Sequence, residues 1–327
     1  MSHRFYDADE TAELLPYGAL RDELAAVLAE HARGELFLKE RLILPLPQGT
    51  LLAMPASDAR LSITKVVTVH PGNTARGMPT ISGEVIVARA DDGTRLGLLH
   101  GGTVTMRRTA AVSLLAAGLM GLGKTRGTEP RRMLVLGAGD QARGHAEAFT
   151  EELEVDGVTV ASRTKDKAEV LASYLRTRGV ETDVVEPGTS AFTEALLGAQ
   201  IVVTATTSTT PVITGTLRQD ASVFAVGAYR SEMAELSPAV VATARRVVVD
   251  TLAGARHEAG ELIDAVAAGV WQWSAAVTLL DLLAAGPTLG APAASRHHTA
   301  TGSHQVFKSV GHAMYDLAAA RVAFPAD

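Results

Sequence analysis

Two sets of residues in this chain have types and spacings that could do chemistry. The first is Met133-Leu134-Val135-Leu136-Gly137-Ala138-Gly139-Asp140-Gln141-Ala142-Arg143-Gly144-His145, an apolar run that turns on glycines into a helical segment. Gly137 permits a tight turn, Gly139 lets backbone approach a pyrophosphate, and Ala142 lets the helix lie close to the strand. A helix opening at Asp140 and Gln141 aims unpaired N–H groups and a positive dipole end at an anion. That chemistry is the capture of a nucleotide cofactor, hence redox. The second set is cationic: Arg41, Lys65, Arg107 and Arg108. Lys65 interrupts the apolar run Ile63–Val67, which is costly unless it faces solvent or an anion. Together these groups read as a pocket for a small carboxylate; the alternative is that Lys65 lies on the wet face of a half-exposed strand.

The elements around the glycine turn support the first reading. Gly157–Thr164 reads as the next strand, and a nucleotide ribose belongs at its end. It ends in Ser162, Arg163 and Thr164, followed by Lys165 and Lys167. No carboxylate stands there to repel a 2′-phosphate, and a guanidinium can pair with one. The expectation is NADPH, with NADH as the alternative, or else an ordinary solvated helix start. Ile201–Thr206, Ser222–Gly227 and Arg246–Asp250 are short, β-branched runs alternating with helical stretches, the pattern of a parallel sheet buried on both faces. Thr204, Thr206 and Gly227 fall at strand ends, where such sheets bind ligands. The fold class is therefore α/β, a Rossmann-type doubly wound parallel sheet, joined to a second α+β domain.

The second domain lacks the strand–helix rhythm. Asp9–Gly34 reads as two helices split near Pro16. Strand-like runs follow at Arg41–Leu46, Thr50–Ala56, Leu61–His70, Ile81–Arg89 and Leu96–His100, then a helix over Thr105–Met120. Residues 1–120 plus 304–327 are assigned to this domain and 121–303 to the nucleotide domain. Gly286–Ser303 reads as a long loop, and Ser309–Val322 as a returning helix. With 327 residues the chain is long enough for both domains. A net charge of −6 offers no basic field for nucleic acid or an anionic membrane. Asp264 and Asp281 interrupt Leu262–Gly286, which reads as an amphipathic or buried helix. The Met1–Glu10 stretch has no apolar core of a signal peptide. The absence of cysteine excludes disulfides and thiolate metal sites and fits a reducing cytoplasm; no metal site is expected.

The motifs together resemble the ornithine cyclodeaminase/mu-crystallin family over nearly the whole chain. They are Lys65-Val66-Val67, Gly77-Met78-Pro79-Thr80, Thr105–Ala111, the Gly137–His145 turn, Val226-Gly227-Ala228, Glu235-Leu236 and Phe307–Gly311. The resemblance implies a homodimer, a second α+β domain, built from both chain ends, for substrate binding and dimerisation, a nicotinamide cofactor, and a substrate carboxylate held by Arg41, Lys65 and Arg108 beside Thr80. It places Thr80, Thr109, Gly137, Gly139, Gln141 and Ser309 on the cofactor. Cyclodeaminases of the family carry an aspartate two residues after the glycine of the Val-Gly-Ala turn; here Tyr229 stands there. A phenol, with a reference pKa of about 10, is a poor base at neutral pH. The turn, the missing ribose carboxylate, and the Leu44–Pro47 and His70–Asn73 segments resemble the family's bacterial cyclic-ketimine reductases. The implied reaction reduces Δ1-pyrroline-2-carboxylate or Δ1-piperideine-2-carboxylate to L-proline or L-pipecolate. Lys65, Arg108 and Tyr229 would serve catalysis, with Tyr229 either packing or relaying a proton. Ornithine cyclodeamination, an alanine-type amino-acid dehydrogenase and a non-catalytic crystallin-like binding protein are the alternatives. His100 stands where the family usually has an aspartate and is expected to be structural.

Overall fold

The computed structural model describes residues 4–124, 128–286 and 304–326. The chain divides into two units, Met1–Val112 with His312–Asp327, and Ser113–Gly311. The division falls within one helix, Gly101–Leu119.

In the first unit, seven strands form one sheet in the order Phe5–Tyr6, Arg95–His100, Ile81–Arg89, Leu61–Val69, Gly49–Ser57, Phe37–Leu38, with Leu42–Leu46 also pairing Gly49–Ser57. Every pairing is antiparallel except that of Phe5–Tyr6 with Arg95–His100. The Leu61–Val69 strand alternates strictly, so Leu61, Ile63, Lys65 and Val67 share its buried face. Lys65 thus stands among apolar side chains, away from the wet face. An Asp7–Glu10 capping box opens the Ala8–Glu13 helix. Pro16 precedes the Tyr17–Ala32 helix, as a residue whose ring suits the start of a helix. The C-terminal helix, Ala313–Ala323, packs on Tyr17–Ala32 and on the Leu61–Val69 strand. Arg321 ties the chain ends together: it pairs with Glu23 at 3.1 Å, with Asp58 at 2.5 Å, and with Glu30.

In the second unit, eight strands lie in the order Thr182–Val185, Gly157–Ala161, Arg132–Leu136, Ile201–Thr204, Ser222–Ala225, Gln305–Lys308, Arg246–Val249, Ala276–Thr278. All pairings are parallel. The chain winds outward from Arg132–Leu136 in both directions, so the topological switch lies between that strand and Ile201–Thr204. Such sheets bind ligands there, at the carboxyl ends of the strands.

Two expectations need correction. Residues 113–120 and 304–311, placed in the other domain by the sequence, belong with the second unit, the latter because Gln305–Lys308 is a strand between Ser222–Ala225 and Arg246–Val249. Leu262–Gly286 holds two helices, Gly260–Ala267 and Leu279–Ala285, because Gly269 adopts φ +70° and ends the first. The expected loop over Gly286–Ser303 lies outside the described residues beyond Gly286. Among the described residues no helix is long and apolar enough to cross a membrane, and no cluster of His, Asp and Glu has metal-ligand spacing.

Candidate active site

The glycine turn follows the Arg132–Leu136 strand. Gly137 has φ +115°, and a Cβ there would stand 2.4 Å from the Ala205 carbonyl oxygen. Its N–H donates to Ala161 O at 2.8 Å, so the turn is wedged between the ends of both neighbouring strands. Gly139 is the N-cap of the Asp140–Glu152 helix and supplies no side-chain cap. A Cβ on Gly139 would meet nothing within 4 Å. A turn that only glycine can make, an open approach, and an uncapped helix N-terminus fit the pyrophosphate of a dinucleotide. Ala142 is fully buried against the sheet side of the helix.

His145, wholly buried, braces this first helical turn. Its Nδ1–H donates to Gln141 O at 2.7 Å, since a carbonyl can only accept. Its Nε2 therefore accepts from Ser113 Oγ at 2.9 Å. Burial pushes the imidazole down to about 4, and it stays neutral. Gln141 Oε1 is buried without a hydrogen-bond partner. After the Gly157–Ala161 strand, Ser162 is half-buried and accepts the Thr164 N–H at 3.2 Å, while Arg163 and Thr164 are exposed. Asp140 is exposed in the first turn of its helix.

At the next strand ends, one buried carboxylate organises two turns. Glu235 Oε1 accepts from Thr206 N at 2.7 Å and Thr206 Oγ1 at 2.9 Å. Its Oε2 accepts from Gly227 N at 2.8 Å and Ala228 N at 3.3 Å. A Cβ on Gly227 would stand 2.2 Å from Thr206 O, so this approach also requires glycine. Lys308 Nζ donates to Ala228 O at 2.7 Å and lies 3.0 Å from Glu261 Oε1, with both side chains fully buried. Burial raises the Glu261 carboxyl above its usual range, and Lys308 opposes that. Tyr229 is half-buried, with the Arg230 guanidinium carbon 5.3 Å from its ring centre. Thr204 Oγ1 is buried without a partner. Ser309 Oγ donates to Asp250 Oδ2 at 2.8 Å, and the Val310 and Gly311 N–H groups reach the same oxygen.

The first unit gathers the cations. Lys65 and Arg108 are 3% and 6% exposed. Lys65 Nζ lies 3.1 Å, and Arg108 Nε 3.2 Å, from one oxygen, Asp316 Oδ1. Asp316 is fully buried, and its Oδ2 has no hydrogen-bond partner among the described residues. Burial pushes the Lys65 ammonium down to about 8; Asp316 acts upward, Arg108 and Arg41 downward. Arg41 is half-buried just ahead of the Leu42–Leu46 strand. Arg107 stands apart from this cluster. It donates to Leu15 O at 2.7 Å, and its guanidinium carbon sits 3.9 Å from the Tyr17 ring centre. Thr109 is buried and Thr80 half-buried, the Thr80 carbonyl accepting His70 N–H at 2.8 Å. His100 Nδ1 accepts the Thr103 N–H at 3.2 Å, at the start of the Gly101–Leu119 helix.

Sequence reasoning missed Asp316, Asp250 and the roles of Glu235 and Lys308. A lone acid in the otherwise apolar and alanine-rich start of the Ala313–Ala323 helix was the available signal for Asp316.

A switch-point glycine turn in one unit and a buried cation pair in the other define an enzyme of the nicotinamide-dependent kind acting on a small acid. Residues 2–325 match the ornithine cyclodeaminase/mu-crystallin family, and the chain belongs to that family. It is 41% identical to "Delta(1)-pyrroline-2-carboxylate reductase 1" of Burkholderia multivorans, covering 97% of this chain and 94% of the relative. It is 39% identical to the "Delta(1)-pyrroline-2-carboxylate/Delta(1)-piperideine-2-carboxylate reductase" of Azospirillum brasilense, with the same coverage. Among solved structures, Thermococcus litoralis Delta(1)-pyrroline-2-carboxylate reductase in complex with NADH and L-proline superposes with a TM-score of 0.83. That pair shares 24% identity over 98% of this chain and 95% of the other, a likeness of fold.

Proposed function

We propose that the chain reduces the C=N bond of a cyclic α-imino acid, Δ1-pyrroline-2-carboxylate and/or Δ1-piperideine-2-carboxylate, to L-proline or L-pipecolate. The observation that carries this is the Lys65–Arg108 pair on a single Asp316 oxygen. Two cations against one anion leave a buried positive charge, which a monocarboxylate neutralises. The relatives at 39–41% identity over 97% of the chain supply the reaction type.

In this reading Lys65, Arg108 and Arg41 clamp the carboxylate beside Thr80, which converts binding energy into orientation of the adjacent C2 carbon. The Gly137–Gln141 turn would hold the pyrophosphate of a nicotinamide dinucleotide, which when bound would supply the hydride for the protonated ketimine. Charge is lost as the iminium becomes an amine, so no oxyanion hole is needed. Thr109, Thr204, Thr206, Gly227 and Ser309 are assigned to the cofactor's surroundings. Glu235 and Asp250 hold the hydroxyls of Thr206 and Ser309. Tyr229 walls the substrate or relays a proton. An aspartate that could work on an amine and water is missing at that position, which argues against cyclodeamination.

Arg163 favours NADPH. The Leu42–Leu46 strand exposes Leu42, Ile43 and Leu44 at 55%, 59% and 50%, an apolar edge suited to a second copy in a homodimer. We place the enzyme in the cytoplasm, where reduced nicotinamide is available.

The test is NADPH oxidation by purified protein with Δ1-pyrroline-2-carboxylate, beside pyruvate plus ammonia and beside L-ornithine. Consumption with the cyclic imine and no ammonia requirement supports the proposal. Turnover only with ammonia makes it a dehydrogenase, ornithine conversion without net NADPH use a cyclodeaminase, and no turnover at micromolar enzyme a binding protein.

A further inference from the structure

We propose that Asp316 is a positioning residue for this reaction: its single bridging oxygen keeps the buried Lys65 charged and fixes the direction in which Lys65 and Arg108 present their remaining donors. The inference rests on the reductase reading above.

The geometry supports it in three ways. First, Asp316 is the anion of the cluster. Asp316 from the C-terminal helix, Arg108 from the Gly101–Leu119 helix and Arg41 ahead of the Leu42–Leu46 strand are the charged groups that act on Lys65. Both arginines and the burial disfavour the ammonium; only Asp316 favours it. Without that charge, an amine on the same face as Leu61, Ile63 and Val67 would release its proton and lose its hold on a carboxylate.

Second, the donors are divided. Asp316 Oδ1 occupies Nε of Arg108 and one hydrogen of Lys65. Among the described residues no other hydrogen bond takes the Nη groups of Arg108 or the remaining two hydrogens of Lys65, which leaves the fork that a planar carboxylate accepts.

Third, Asp316 itself is fully buried, and among the described residues the shared oxygen is its only one with partners. It acts through Lys65 and Arg108, from a helix packed on the strand that carries Lys65.

The experiment is the near-isosteric Asp316→Asn variant, with kcat and KM for Δ1-pyrroline-2-carboxylate measured from about pH 6 to 10, where kcat/KM reports the free enzyme. The substrate's own ionisation is common to both proteins and cancels in the comparison. The alkaline limb should move at least about one unit toward lower pH, and the KM defect of about tenfold near pH 8 should shrink as pH falls. Asp316→Glu, which keeps the charge, should return the limb toward the wild-type position. An Asp316→Asn profile lowered equally at every pH, with its limb unmoved, overturns the proposal and leaves Asp316 a packing group. A second measurement needs neither turnover nor that variant: the Lys65 Nζ resonance in wild type, assigned with Lys65→Met. Proton loss near pH 8 or above supports the proposal, and a Lys65 already neutral at pH 7 sinks it. Absence of turnover in wild type with Lys65 charged would overturn the substrate reading alone.

Discussion

Glu235 and Gly227 are joined at 2.8 Å, the Gly227 N–H donating to a carboxylate that also holds Thr206 from the neighbouring strand end. The buried carboxylate satisfies four donors, so the two turns behave as one piece. Glu235→Gln keeps the shape but replaces one acceptor oxygen with an NH2 that faces backbone N–H groups. Unfolding free energy should fall by about 2–4 kcal/mol, the scale of charged hydrogen bonds lost in a buried site. Urea denaturation of the two proteins measures this, and coincident midpoints would show that the turns hold without the carboxylate.

The two turn glycines should fail differently. Gly137→Ala forces a methyl to 2.4 Å from Ala205 O at φ +115°, so it should destabilise the fold by about 2 kcal/mol or more. Gly139→Ala has ordinary backbone, with φ −97°, and open space for its methyl. It should stay within about 1 kcal/mol of wild type in stability. Its NADPH affinity should nonetheless fall at least about tenfold, because the methyl fills the approach of the pyrophosphate. Calorimetry on Gly139→Ala that returns the wild-type affinity would move the phosphate elsewhere.

Much of the nucleotide unit was legible because its signals are local. A glycine turn and a run of β-branched residues are read within a few positions, and Gly137, Gly139 and Ala142 sit where that reading puts them. The Gln305–Lys308 strand was not, because four residues after a stretch rich in Gly, Ala, Pro, Ser and Thr carry little pattern, and both of its partners are more than fifty positions earlier in the chain. Asp316 was hidden for the same physical reason. Its partners lie 251 and 208 positions away, and no periodicity reports a contact of that span. The buried face of Lys65 was open in the sequence, since alternation alone does not say which side of a strand is wet.

The proposed preference for NADPH rests on Arg163, which is exposed directly after the half-buried Ser162. Arg163→Asp would place a carboxylate where a ribose hydroxyl is read in NAD-binding relatives of the fold. NADPH affinity should drop at least about tenfold, and NADH affinity should hold or rise, as expected when a charge-assisted pair is replaced by repulsion. Unchanged affinities for both nucleotides would remove Arg163 from the site.

Acid should loosen the second unit through His145. Its folded pKa of about 4 lies below the ordinary 6.5, so the unfolded chain binds this proton first. The stability attached to neutral His145 is present above about pH 6.5 and is lost as pH falls toward 4. Between pH 7 and 5 the loss from this group is about 2 kcal/mol. His304, also buried and also pushed down, acts in the same direction. His145→Gln can still donate to Gln141 O and accept from Ser113 Oγ, yet it does not titrate. Its urea midpoint should therefore decline less steeply between pH 7 and 5 than that of wild type, while carboxylate effects common to both proteins cancel. Parallel declines would mean that His145 takes up its proton without opening the fold, and that the Ser113–His145–Gln141 bridge is dispensable.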